Sequence, residues 1–153
     1  MTPELTTFLI AMSPIVELRG AIPWAILQFG LPPWSAYLWA VLGNLVALCL
    51  IVGTGDAVLK FLSRYAPLLG RIVAYVFEHT RKTHESKMTR WGKGVAVAIL
   101  VATPIPFVGG WTGAIAALVL GMKLKQALPF LLAGSLGAGI IVIITTLGVS
   151  AFL

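Results

Sequence analysis

Acidic residues are scarce in this chain: five Asp and Glu among 153 positions, against eleven Lys and Arg. Charged residues of both signs reach only 10%, while hydrophobic residues make up 59%. Water-soluble domains carry about 25% charged residues, so an integral membrane protein is expected. Cysteine is nearly absent. The single Cys49, set in an apolar run, excludes a disulfide framework and a Cys-rich metal site; we read it as a small packed hydrophobe. Basic residues are missing from the opening Met1-Thr2-Pro3-Glu4, where a secretory signal would carry them, and no small-residue cleavage site follows. No cleaved signal is therefore expected. The length allows one membrane domain over 1–153.

What basic charge there is lies clustered. Lys60, Arg64, Arg71, Arg81, Lys82, Lys87, Arg90 and Lys93 fall between membrane-grade segments. In that setting the net charge of +6 reads as a positive-inside cytoplasmic loop and not as a nucleic-acid surface. Two stretches are long enough for a bilayer, which takes roughly 20 apolar residues. One runs from about Trp34 to Leu59 with Asp56 its only charge, and the other from about Ala127 to Leu153 with none.

Two further apolar stretches are interrupted. Phe8 to Val16 leads into a break containing Pro14, Glu17, Arg19, Gly20 and Pro23, and apolar residues resume to Phe29. Val95 to Thr103 leads into PIPFVGG, and apolar residues resume from Trp111 to Leu120. A ten-residue helix is about 15 Å long, half of a ~30 Å hydrocarbon core. Each segment therefore reads as a re-entrant hairpin that turns on Pro and Gly near the midplane.

The two halves read as one unit used twice. Ser13-Pro14 falls on Thr103-Pro104 and Gly20 on Gly110; one residue further out of step, Gly30 falls on Gly121 and Gly43-Asn44 on Gly134-Ser135. A unit with a single crossing must place its second copy upside down, as inverted-repeat transporters do. This arrangement gathers ten of the eleven basic residues on one face, Arg19 excepted. It predicts a cytoplasmic linker 60–93 and turn 121–125, with both termini outside. Within the linker, Phe61, Tyr65, Leu68, Leu69, Ile72, Val73 and Val76 recur at helical spacing, which predicts an amphipathic interfacial helix. His79 and His84 are five apart and do not share a helix face, so they read as part of a solvated polar stretch.

Candidate chemistry centres on Glu17 and Arg19. Ionisable residues at membrane depth cost roughly 2.5–3.5 kcal/mol on insertion scales and mark pathways, relays or buried pairs. In an extended turn, positions i and i+2 point the same way, so the two could pair and face one cavity. Glu17 would exchange protons, and Arg19 would offer its fork to an anion; a structural pin at the hairpin tip is the alternative. The second tip offers the hydroxyls of Thr103 and Thr112, the indole of Trp111 and the open backbone of Gly109 and Gly110. Gly109, Gly113, Ala117 and Gly121 recur every four residues and read as a packing stripe. Asn44 and Asp56 are accessory polar groups of the first span.

ELRGAIP at 17–23, together with T-P-x-P at 103–106 and G-x-WTG at 109–113, resembles the small multidrug export family, grouped with the DedA/VTT superfamily. The resemblance covers nearly the whole chain. It implies facing re-entrant hairpins and transport driven by the proton gradient. For DedA-type proteins it further implies translocation of phosphorylated lipid carriers, with acidic residues in the first hairpin and arginines in the second. Glu17 matches the acidic role, whereas Phe107 to Thr112 stands where the arginines would be.

The expected fold is thus an all-α integral membrane protein: an inverted repeat of re-entrant hairpin plus transmembrane helix, joined by an amphipathic interfacial helix. Repeat 1 is expected at about 5–59, the linker at 60–93 and repeat 2 at 94–153. The expected function is proton-coupled transport of a small amphiphile or an anionic lipid headgroup by a non-enzymatic inner-membrane homodimer. Neither cofactor nor metal is expected, and membrane lipids are the expected surroundings. A non-transporting scaffold or assembly factor is the alternative.

Overall fold

The computed structural model describes residues 1–65, 75, 78, 89–103 and 109–150. Six helices are described: α1 Pro3–Met12, α2 Glu17–Leu27, α3 Pro33–Tyr65, α4 Arg90–Ala102, α5 Gly110–Val119 and α6 Leu124–Ser150. The stretch read as an interfacial helix, with His79 and His84, falls mostly outside the described residues.

Helix ends follow local chemistry. Thr2 caps α1 by accepting from the Leu5 N–H, and Thr89 caps α4 by accepting from the Gly92 N–H. Both helices stop at a hydroxyl residue in extended conformation, Ser13 and Thr103, each followed by proline. A residue before proline is pushed out of the α region, so both ends are written into the sequence. Gly30 and Gly121 take φ of 63° and 70° in the turns that lead into α3 and α6, a left-handed conformation that glycine reaches without steric cost.

Among the described residues, only α3 and α6 are long and apolar enough to cross a bilayer, over Pro33–Gly55 and Leu124–Val149. Less than half of each is buried, 44% and 39%, whereas a soluble core helix would be mostly enclosed. Their open faces are stripes of Leu38, Leu42, Val46 and Leu50 on α3, and of Leu128, Leu132, Leu136, Ile140 and Ile144 on α6. Apolar stripes of that length fit lipid and not water. The chain is a membrane protein.

The spans run antiparallel. Gly53 faces Leu124, Asn44 meets Ser135, and Tyr37 reaches the Leu136 carbonyl, so one helix ascends as the other descends. Within each half, the first short helix lies parallel to its own span. A Cβ at Gly43 of α3 would collide with the Phe8 carbonyl of α1. One at Gly134 of α6 would come 2.8 Å from the Ala98 carbonyl of α4. Glycine at these two places lets backbone approach backbone. The second short helix of each half packs across onto the other half's span, α2 against α6 and α5 against α3. Two of the three apolar clusters among the described residues bridge the halves. One joins Leu18, Ala21 and Ile22 to Ala138 and Val142; the other joins Ala114 and Ala117 to Leu48 and Val52.

Three boundaries differ from the sequence reading. The Pro14–Pro23 stretch is unwound only at 13–16, and α2 runs from Glu17 straight through Pro23. Pro23 has no N–H to give the helical ladder, but this does not stop the helix. The first spanning helix continues to Tyr65. The second half begins at Arg90, where the Thr89 cap lies. Cys49 is partly, not fully, buried on α3.

Candidate functional site

The unwound corner at 13–16 ends on Glu17, whose φ of 53° is the one positive value at a non-glycine residue among the described residues. An L-residue with a Cβ holds that conformation at a cost of about 1–2 kcal/mol, so the surroundings must fix it. They do. The Glu17 N–H donates to the Ser13 carbonyl at 3.0 Å, the Gly20 N–H to Val16 at 3.0 Å, and the residue is only 9% exposed.

From this corner two charges reach into the second half. The Trp111 backbone N–H donates to Glu17 Oε1 at 3.3 Å. Trp111 is in the first turn of α5, where backbone N–H groups lack helical acceptors and the dipole favours an anion. Arg19 Nη2 donates to the carbonyls of Val101, at 3.3 Å, and of Thr103. Those carbonyls belong to the C-terminal end of α4, where acceptors lack helical donors and the dipole favours a cation. One carboxylate and one guanidinium from the start of α2 thus meet the end of α4 and the start of α5, each with the matching sign.

Glycines make the approach possible. A Cβ at Gly109 would lie 2.6 Å from Arg19 Nη1 and 2.8 Å from Nη2, so the guanidinium rests directly on this backbone. A Cβ at Gly110 would lie 3.1 Å from Asn44 Oδ1 and 3.0 Å from a Leu48 methyl. Asn44, 1% exposed, donates from Nδ2 to Ser135 Oγ at 3.1 Å near the middle of both spans. Its Oδ1 and the buried Trp111 Nε1 find no partner among the described residues.

Most of the residues singled out in the sequence come together here, though several in other roles than expected. Glu17 and Arg19 open helix α2 and do not lie in an extended turn, close enough to attract each other. Each also reaches a different helix end. The Thr103 hydroxyl turns back to the Ile99 carbonyl at 2.6 Å, and its carbonyl serves Arg19 instead. The Thr112 hydroxyl is likewise engaged locally, accepting from the Gly109 N–H at 2.8 Å and donating to the Gly109 carbonyl at 2.9 Å. Trp111 contributes its backbone N–H. Asp56 is in α3, and its side chain lies outside the described residues, as does 104–108 of the second tip. In the packing stripe, Gly113 abuts Val101 and Ala117 is fully buried, while Gly109 serves Arg19.

Ser135 and the Val101 carbonyl were not foreseen. The signal for Ser135 was present in the register that lays Asn44 on Ser135. Equivalent positions at the crossing of two antiparallel helices meet each other.

The class defined by this geometry is a helical membrane protein with, among the described residues, two helices long and apolar enough to span and a charged junction of helix ends between them. Residues 17–141 match the family described as "Putative small multi-drug export protein", and the chain belongs to that family. No curated protein and no solved structure matches it.

Proposed function

We propose that this chain is a secondary transporter of the cell membrane, moving a small amphiphilic compound in exchange for protons carried at Glu17. The observation that carries the reading is the charged junction. A buried carboxylate in strained backbone faces the first turn of α5, beside a guanidinium on the last carbonyls of α4. Strain of this kind gathers at working sites, and broken helices that present their ends to a site are a transporter device.

In this reading the two halves form an inverted repeat of re-entrant hairpin and span. Support comes from the antiparallel spans, the like-placed Gly30 and Gly121, and the like-placed Gly43 and Gly134. Re-entry of the second hairpin is supported by Lys93 Nζ at the start of α4, which reaches the Leu120 carbonyl beyond the end of α5 at 3.4 Å. The hairpin then opens and closes on the face that also bears Lys123 and Lys125, the face the positive-inside rule assigns to the cytoplasm. Both termini lie outside. Glu17, Arg19, Thr103, Gly109, Gly110, Trp111 and Thr112 form the site, with Asn44 holding the spans beside it. A second copy completes a homodimer that shields the broken segments.

Arg19 bears on the choice of substrate. Its contacts with Val101 and Thr103 carbonyls mean that an anionic headgroup would have to displace helix-end acceptors. That favours an amphiphile over a lipid phosphate. The same contacts favour a second reading, a non-transporting scaffold whose charges only satisfy backbone ends. Reconstituted vesicles separate the two. Uptake of a fluorescent amphiphile such as ethidium should follow an imposed pH gradient in the wild type and be lost in the double variant Glu17→Gln with Arg19→Gln. Equal gradient-driven uptake by both proteins would leave the junction as a structural pin.

A further inference from the structure

Away from the junction, each half carries a groove between the start of its first short helix and the start of its span. In the first half, α1 and α3 leave a groove of about 600 Å³, within the size range of ligand pockets. Its walls include Glu4 from the first turn of α1, and Trp34, Ser35, Leu38, Trp39 and Leu42 from α3. Trp34 is 68% exposed and Trp39 also counts among the exposed aromatics, so neither ring fills a core.

Depth orders these groups. Pro33 begins the span, which puts Trp34 at the membrane–water interface, the level at which indoles settle. Leu42 is eight residues on, about 12 Å deeper. The groove therefore grades from a carboxylate and indole at its mouth to leucines in the hydrocarbon.

The second half supplies a comparison. Its groove, of about 360 Å³, is lined by Trp91, Gln126, Pro129, Phe130 and Ala133. In the register that lays Gly30 on Gly121, these α6 positions are the counterparts of Ser35, Leu38, Trp39 and Leu42. The frame is the same but the chemistry differs: among the described residues no carboxylate lines this groove. Trp91 stands edge-on to Phe130 with centroids 5.9 Å apart, a self-contained aromatic pair.

We infer that the α1–α3 groove binds an amphiphilic organic cation, its charged centre between Glu4 and the indoles and its apolar body along Leu38 and Leu42. A carboxylate and two indoles lining one groove attract a soft, weakly hydrated cation through charge and ring quadrupole together. An anionic amphiphile would be repelled by Glu4, and a neutral acyl chain would gain nothing from it. The site is separate from Glu17 and Arg19 and does not depend on the role proposed for them.

The probe is tetraphenylphosphonium, measured by equilibrium dialysis against the full-length chain in nanodiscs of zwitterionic lipid, with empty nanodiscs subtracted. Saturable binding is expected. Glu4→Gln, and separately Trp34→Leu, should each weaken it by about tenfold, the scale of one lost charge or cation–π contact. Phe130→Leu in the opposite groove should leave it unchanged. Circular dichroism of each variant checks that helix content is kept, and Trp39→Leu is a second probe of the mouth should Glu4→Gln loosen α1. Undiminished binding by both Glu4→Gln and Trp39→Leu would overturn the inference. So would equal competition by uncharged triphenylphosphine oxide, which would mark a groove for lipid tails, or an absence of binding above empty nanodiscs.

Discussion

Gly109→Ala is the smallest change that strikes the junction. The added methyl would stand 2.6–2.8 Å from three atoms of the Arg19 guanidinium, closer than carbon and nitrogen can sit, so the guanidinium must withdraw. The backbone offers no separate objection, because Gly109 has φ of −170°, an extended value open to any residue. Withdrawal loses the hydrogen bonds from Arg19 to the Val101 and Thr103 carbonyls. Hydrogen bonds from charged groups contribute about 1.5–3 kcal/mol, and each kcal/mol shifts Tm by roughly 2–4 °C in a chain of this size. Loss of even one such bond should therefore lower Tm by about 3–12 °C in detergent, followed by circular dichroism. A double-mutant cycle isolates the cause. In an Arg19→Ala background the guanidinium is gone, and Gly109→Ala should then cost nearly nothing. An equal loss in both backgrounds would refute the contact between Arg19 and Gly109 as the reason for the glycine.

Gly43→Ala and Gly134→Ala push methyls into the facing helix at the Phe8 and Ala98 carbonyls; overpacking of this kind should destabilise each variant by about 1–3 kcal/mol. Thermal unfolding in the same detergent checks this, and a neutral result at either site would contradict the close parallel packing there. Topology is read by single cysteines in a Cys49→Ser background. Arg81→Cys and Lys123→Cys should be labelled from the cytoplasmic side and Leu31→Cys from the other, whereas labelling of Lys123→Cys from outside would mean that the second hairpin crosses.

Much of the frame was legible because it depends on local chemistry. Ser13-Pro14 and Thr103-Pro104 end α1 and α4, and Gly30 and Gly121 turn the chain into the spans. Low charge and two long apolar runs gave the membrane. The site was legible as a set of residues but not as a set of contacts. Prolines at 14 and 23 suggested one extended tip, yet a helix whose Pro lies inside loses only one hydrogen bond and can continue. With α2 beginning at Glu17, the two charges also reach helix ends 94 and 82 residues away. Those partners are backbone groups. No side-chain pattern encodes a carbonyl at Thr103 or an N–H at Trp111, so sequence spacing had nothing to show. The Asn44–Ser135 bond was the exception, implicit in the register of the two halves.

Proton movement at Glu17 is the most direct measurement. Vesicles reconstituted with the protein and loaded with a pH-sensitive dye should show a luminal pH change when ethidium is added outside. Glu17→Gln preserves the shape of the side chain while removing its exchangeable charge, and vesicles bearing that variant should show no such change while the protein keeps its helix content. Ethidium-driven proton flux of wild-type size through Glu17→Gln would contradict the assignment of Glu17 as the proton carrier.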